Sequence, residues 1–143
     1  LLKLYTKIIN RVLDGRPDDM RIGIHLCRGN KQSYWQAEGG YDLVADTLFN
    51  EVNADCYFLE YDTPRAGDFS PLSYLPKTKT AVLGLVSTKS PQIETIQART
   101  LNTHRNRKFI FTIPVCNISG LVFTTPLFAR LVLFVLSPPR SYG

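Results

Sequence analysis

Three short apolar runs, at residues 20–27, 55–61 and 81–86, set the limits on what this chain can fold into. Each has the length and the aliphatic content of a buried strand, and no two are close enough to be joined by a tight hairpin. Strands so spaced pair in parallel, through crossovers that carry the chain back to the same end of the sheet. The segments between them fit that scheme. Leu2, Tyr5, Ile8, Ile9, Val12 and Leu13 recur at helical spacing ahead of the first run, with Gly15 as a stop. Arg16, Pro17, Asp18 and Asp19 then make a turn.

Between the first two runs, residues 28–40 are polar and irregular, with Gly29, Gly39 and Gly40. Residues 41–52 return to a helical pattern through Leu43, Val44, Leu48 and Phe49. A long loop with Pro64, Gly67, Pro71 and Pro76 joins the second run to the third. After the third, Ser90 as N-cap and Pro91 at the first position predict a helix, with Ile93 and Ile96 turned inward. No internal repeat appears at solenoid periods.

At 143 residues the chain has the length of one ordinary domain and is too short for a complete (β/α)8 barrel. Hydrophobic residues make up 44% and charged residues 20%, the balance of a globular chain rather than a disordered one. The sequence begins at Leu1, so its recorded start is expected not to be the natural one, and nothing there resembles a secretory leader. Cys27, Cys56 and Cys116 are odd in number and widely spaced, which favours reduced thiols and a cytoplasmic setting over a disulfide framework.

The net charge of +5 would suggest a polyanionic partner, but its distribution removes that reading. Residues 1–96 hold eleven basic residues and all twelve acids. Residues 97–143 hold six basic residues and no acid. The basicity belongs to the tail, without the interleaved aromatics of a nucleic-acid reader, so no nucleic acid is expected as a partner. Within the tail, Arg105, Arg107 and Lys108 precede an apolar stretch from 109 to 136, broken by Pro114, Gly120, Pro126 and Arg130. Its unbroken pieces are shorter than a spanning helix needs, so no membrane segment is expected. The chain divides on composition into residues 1–96 and a tail at 97–143.

Side chains two apart on a strand share a face. His25 and Cys27 therefore lie together at the end of the first strand, opposite Ile22, Ile24 and Leu26. On the second strand Cys56, Phe58 and Glu60 share a face, with Glu60 at the C-terminal end. Parallel α/β folds gather their ligand sites beyond those ends. An imidazole, a thiolate and a carboxylate would meet there, a donor set that zinc takes. The plainer alternative is that His-x-Cys occurs by chance and a buried Cys acts as a small hydrophobe. Cys56, at the start of its strand, reads as core. His104, among basic neighbours, reads as solvated, and the acceptor pattern at Asn117 carries no weight without secretion.

The segments RIGIHLCRGN, GGYDLVADTLFNEVNADCYFLEYDTPRAGDFSPLSYLP and TAVLGLVSTKSPQIETI fall in order over roughly residues 14–96. They resemble the C-terminal catalytic domain of cobalamin-independent methionine synthase, and more narrowly its single-domain relatives. The resemblance implies a (β/α)8 barrel that binds zinc through His25, Cys27 and Glu60. It also implies a basic and acidic pair at Arg65 and Asp68, and a strand-end loop at Ser87, as substrate-binding positions. The implied reaction moves a methyl group from 5-methyltetrahydrofolate, typically as the polyglutamate, to the thiol of homocysteine, giving methionine. Homocysteine and methyl-folate are thus the implied partners, and zinc the implied cofactor.

The sequence departs from the family in two places. The stretch between Cys27 and Glu60 is longer than in the main synthases, and Arg28-Gly29-Asn30 replaces their usual residues. The family's last zinc cysteine lies in a Cys-Gly turn, whereas Cys116 is followed by Asn117, so the ligand role is not carried to it. The expected architecture is an α/β, partial (β/α)8 TIM barrel with parallel strands and crossover helices, incomplete at both ends. Unpaired edges in such a piece predict aggregation or partial order. Two alternatives stand beside the truncated methyltransferase: a non-catalytic fragment or altered gene product of the same family, and a uroporphyrinogen-decarboxylase-like barrel protein. The His25 and Cys27 pair argues against the latter.

Overall fold

The computed structural model describes residues 1–87 and 89, together with the backbone of the strands at 108–112, 121–123 and 130–136. The N-terminal helix α1 runs over Leu2–Leu13 and ends before Gly15, whose φ of +73° is the left-handed conformation that suits glycine. The strands are β1 (Arg21–Cys27), β2 (Cys56–Glu60), β3 (Thr80–Gly84), β4 (Lys108–Thr112), β5 (Leu121–Phe123) and β6 (Arg130–Leu136).

They form one open six-stranded sheet in the order β4-β3-β2-β1-β6-β5. Strands β1 to β3 run parallel, as the spacing of the apolar runs predicts, and β4, which the sequence did not announce, joins parallel to β3, whereas β6 pairs antiparallel with β1, and β5 antiparallel with β6. The expected partial (β/α)8 barrel is therefore corrected to an open sheet. In a barrel the edge of β1 would take another parallel strand. Here Arg21–Leu26 and Cys27 pair along their whole length with the antiparallel β6, from Arg21↔Leu136 to Cys27↔Arg130, and the parallel progression stops.

Between β1 and β2 the chain is helical where the pattern over 41–52 predicts it: the Ala45 N–H donates to the Tyr41 carbonyl and the Leu48 N–H to the Val44 carbonyl, both at 2.8 Å, and the segment ends in a π-helical turn, Thr47–Glu51. Val44, Leu48, Phe49 and Val52 are buried, but Leu43 is 95% exposed. The Lys79 ammonium closes this turn by donating to the carbonyls of Phe49 (2.7 Å) and Val52 (2.6 Å) and to the Tyr57 hydroxyl (3.3 Å). A cation at the carbonyl end of a helical turn meets the negative end of its dipole. Between β2 and β3 the proline-rich loop forms two short 3-10 turns, Pro64–Ala66 and Ser70–Tyr74, each opened by a proline near its start. The helix expected from Ser90 lies outside the described residues.

The core occupies one side of the sheet. Ile22, Ile24 and Leu26 from β1, Tyr57 and Leu59 from β2 and Ala81 and Leu83 from β3 bury against Val44, Leu48, Phe49 and Val52. Phe49 stands edge-on to Tyr57 at 5.0 Å between ring centres. Helix α1 contributes Leu13 and Thr6, with Leu2 and Ile9 packed alongside. Leu4, Ile8 and Val12, two of which were expected to face inward, are exposed. At the opposite end from the candidate site, Asp55 ties the starts of β1 and β2. Its carboxylate accepts the Ile22 N–H at 2.8 Å and faces Arg16 at 3.0 Å.

Candidate functional site

The parallel register sets Gly23 beside Cys56 and His25 beside Phe58, so the residues one further pair along, Cys27 and Glu60, end their strands on the same sheet face. This is the face opposite the core: His25, Cys27, Phe58 and Glu60 are half-buried where their neighbours Leu26 and Leu59 are fully buried. Period two in the sequence was enough to place them.

The Glu60 carboxylate is fully engaged. One oxygen accepts the Arg28 backbone N–H at 2.9 Å, and the other accepts the Lys89 ammonium at 2.8 Å. The same ammonium lies 3.7 Å from Asp62, and the three side chains are only 3% (Lys89), 10% (Glu60) and 5% (Asp62) exposed. Little solvent is left to screen these charges, so each depends on the others. Ser87 sets the approach of the lysine, since its hydroxyl oxygen accepts the Lys89 N–H at 3.2 Å.

Above the strand ends, Tyr41 joins β1 to β2. Its hydroxyl accepts the Glu60 N–H at 2.9 Å and donates toward the carbonyls of Leu26 (3.1 Å) and Glu60 (3.3 Å). Burial pushes the Tyr41 hydroxyl up to about 12, against the opposing pull of the Arg28 guanidinium. That guanidinium lies 4.2 Å over the Tyr41 ring and donates to the Gly39 carbonyl (3.0 Å from Nε). Trp35 sits between two further cations, Arg65 at 4.5 Å and Lys89 at 5.7 Å from its ring centre.

The loop carrying Trp35 is anchored on the loop after β2. Gly39 N–H donates to the Arg65 carbonyl at 3.1 Å, and Gly40 and Gly67 approach so closely that a Cβ on Gly67 would stand 2.8 Å from the Gly40 Cα. No larger residue fits there without moving one loop.

The substrate positions implied by the resemblance are placed as follows. Arg65 pairs with the Glu38 carboxylate while stacking on Trp35. Asp68 is exposed and accepts the Ser70 hydroxyl (2.6 Å) and N–H (2.8 Å), which holds its carboxyl below the usual range. Arg65 and Asp68 thus bond to other residues rather than to each other. Cys56 is buried, and burial raises its thiol to about 11, but it lies on the face it shares with Phe58 and Glu60 and not in the core cluster where it was expected. His104, Cys116 and Asn117 lie outside the described residues.

Sequence reasoning did not single out Lys89, Asp62, Trp35 or Tyr41, and noted Arg28 only as a departure from the family's usual residues. The signal available for two of them was position, since Asp62 and Lys89 follow the C-terminal ends of β2 and β3.

The donors fit zinc in kind, being nitrogen, thiolate sulfur and carboxylate oxygen on adjacent strand ends. Their arrangement does not close a metal centre: among the described residues no group of three His, Cys, Asp or Glu side chains could hold a metal ion. Buried polar atoms at Trp35 Nε1, Tyr61 OH, Asp62 Oδ1 and Thr63 Oγ1 have no hydrogen-bond partner among the described residues, in the loop after β2 and the Trp35 loop above it. Clustered groups of that kind mark a place for further polar contacts. No described helix is long and apolar enough to cross a membrane.

No protein-family model matches the chain. It is similar to two proteins of Bacillus subtilis (strain 168), Uncharacterized protein YxjG, at 48% identity over 95 residues, and Uncharacterized protein YxjH, at 46% over 92. The matches take in 66% and 64% of this chain but only 25% and 24% of those proteins, so the chain spans about a quarter of the length of the curated relatives it matches. No solved structure matches it.

Proposed function

We propose that the chain carries part of the site of a zinc-dependent thiol methyltransferase of the cobalamin-independent methionine synthase type. The reaction is methyl transfer from 5-methyltetrahydrofolate, in its polyglutamate form, to homocysteine. The observation that supports this reading most directly is the β1–β2 register, which brings His25, Cys27 and Glu60 to one face at neighbouring strand ends. A bound zinc ion would supply Lewis acidity that makes a thiol ionise near neutral pH.

The chain's own residues contribute the rest. Tyr41 and the Arg28 N–H fix the backbone and carboxylate of Glu60, so that the donor is positioned before any ligand arrives. Trp35, with Arg65 and Lys89 close to its ring, ties the loop above the strand ends to the cation that bonds Glu60. A cytoplasmic location goes with this reading, because methyl-folate, homocysteine and reduced thiols occur together there.

Cobalt(II) in place of zinc tests the proposal, because thiolate coordination gives a charge-transfer absorption. The full chain, purified with reductant, is expected to show that band, to lose it in Cys27→Ser, and to strengthen it when homocysteine is added. A chain that binds neither cobalt nor zinc sinks the metal reading. That result would favour the second reading, a non-catalytic member of the same lineage, for which the occupied Glu60 carboxylate is the supporting observation.

A further inference from the structure

The loop between Gly29 and Gly39 is built as a compact body on a narrow neck. At the neck, the Arg28 carbonyl accepts the N–H groups of Gln36 (2.8 Å) and Ala37 (3.2 Å), and the Arg28 guanidinium donates to the Gly39 carbonyl (3.0 Å from Nε). At the tip, Lys31 and Tyr34 exchange backbone hydrogen bonds, and the Asn30 side chain accepts the Ser33 N–H at 3.1 Å. A surface loop tied to itself at both places moves more readily as one piece than by unravelling. Its hold on the rest of the molecule is light: none of residues 31–38 is buried, and only Trp35 and Ala37 are half-buried.

A glycine in the left-handed region stands at each end, Gly29 at φ +84° and Gly39 at +117°. No heavy atom lies within 4 Å of the place a Gly39 Cβ would take, so the backbone alone, and not crowding, calls for glycine there. On the outer side Arg65 grips the loop three times. Its carbonyl accepts the Gly39 N–H at 3.1 Å, and its guanidinium pairs with Glu38 and stacks 4.5 Å from the Trp35 ring centre. The Glu38 and Arg65 side chains are 71% and 40% exposed, so water weakens their pairing. On the inner side the Trp35 ring faces Lys89, the cation bonded to Glu60.

We infer that residues 30–38 are a lid over the ends of β1 and β2, hinged at Gly29 and Gly39 and clasped by Arg65. Lifting it breaks the two Arg28 bonds and the Arg65 clasp, while β1 and β2 stay paired beneath. The movement opens the Glu60 end of the sheet to a small molecule and closes over it afterwards. Arg65 thereby has a part other than direct substrate contact. The lid needs no metal and does not rest on the methyl-transfer reading, which stands or falls separately.

The test uses the full chain, with amide hydrogen exchange read residue by residue and acrylamide quenching of Trp35, the chain's one tryptophan. Arg65→Gln is expected to speed exchange at Gln36 and Ala37 about fivefold or more, although both bond to Arg28 and neither to Arg65. Trp35 quenching should rise with it, while the melting temperature stays within about 2 °C of wild type. Gly39→Ala, which meets no neighbour, is expected to give the same two changes, because alanine does not hold the seated φ. Unchanged Gln36 and Ala37 exchange in both variants overturns the lid. So does a loss of protection that spreads into β1 and β2, which would make the loop part of the folded frame. If neither variant folds, the wild type decides: one common opening constant for the Gln36, Ala37 and Gly39 amides supports the lid, and three separate constants overturn it.

Discussion

Cys56 and Tyr41 mark the two ends of β2, and both are held in their neutral forms by burial. The Cys56 thiol is raised from an ordinary 9.0 to about 11, and the Tyr41 hydroxyl from 10.0 to about 12. A group whose folded pKa lies above its unfolded value favours the fold fully below the unfolded value. That contribution is lost as the pH climbs through the folded one. Stability is thus expected to hold up to about pH 9 and to fall between there and about pH 12, by on the order of 1–3 kcal/mol for each group. Thermal melts across that window check it, with Cys56→Ala moving the onset of the fall toward pH 10; a melting temperature flat to pH 12 would refute the account. At this scale the sequence was most informative where chemistry follows strand alternation. His25, Cys27 and Glu60 share their face because side chains alternate, and Cys56 belongs to that same face by the same rule. Lys89, Asp62 and Trp35 sit beyond strand ends, where no periodicity says which way a side chain turns, so their meeting could be seen only in three dimensions.

Among the elements, the loop that carries Trp35 holds the clearest local strain. Lys31 and Tyr34 form a two-residue hairpin, each N–H donating to the other's carbonyl at 3.0–3.1 Å. The residues between them, Gln32 and Ser33, take φ values of +52° and +69°. That is the backbone of a type I′ turn, which favours Asn-Gly and costs roughly 1–2 kcal/mol for each ordinary residue placed there. Replacing the pair by Gln32→Asn and Ser33→Gly is expected to raise the melting temperature by about 2–4 °C, with zinc affinity unchanged because neither residue touches Glu60. A lower melting temperature would show that the native side chains make up for the backbone. The strands themselves were legible, since each is an apolar run bounded by turn residues. The helical character of 41–52 was legible too, but not its π turn or the exposure of Leu43. Val44, Leu48, Phe49 and Val52 bury as a helical face would, while Tyr41 is drawn down onto the strand ends by its hydroxyl, and Lys79 terminates the π turn from outside the segment. Hydrophobic spacing records which residues are buried and is silent on the bonds that shape the backbone between them.

For the molecule as a whole, the parallel order of β1, β2 and β3 followed from the sequence, whereas the closure did not. An apolar, acid-free tail has no periodicity that announces an antiparallel return, and the expected barrel gave way to an open sheet whose outer strands are β4 and β5. With β6 in place, the edge of β1 is covered rather than bare. Exposed apolar surface remains on α1, where Leu4, Ile8 and Val12 form a stripe one turn apart beside Lys3, Lys7 and Arg11. We expect the isolated chain to self-associate through this surface. Leu4→Glu with Ile8→Lys should shift light scattering toward the monomer with little change in melting temperature, because neither side chain is in the core. A native chain that is already monomeric, with a cooperative melt independent of concentration, would contradict this.

The pairing of β1 with β6 also sets a timetable. Arg21 and Leu136 are neighbours in space and lie far apart along the chain. While β2 and β3 can join β1 as soon as they emerge, the other flank of β1 has to wait for β6. Contacts so distant along the chain form slowly. The strand that bears His25 and Cys27 therefore has one flank completed early and the other late. During that interval the growing chain presents an incomplete sheet, with the half-built site at its margin, to whatever chaperone or neighbour reaches it first.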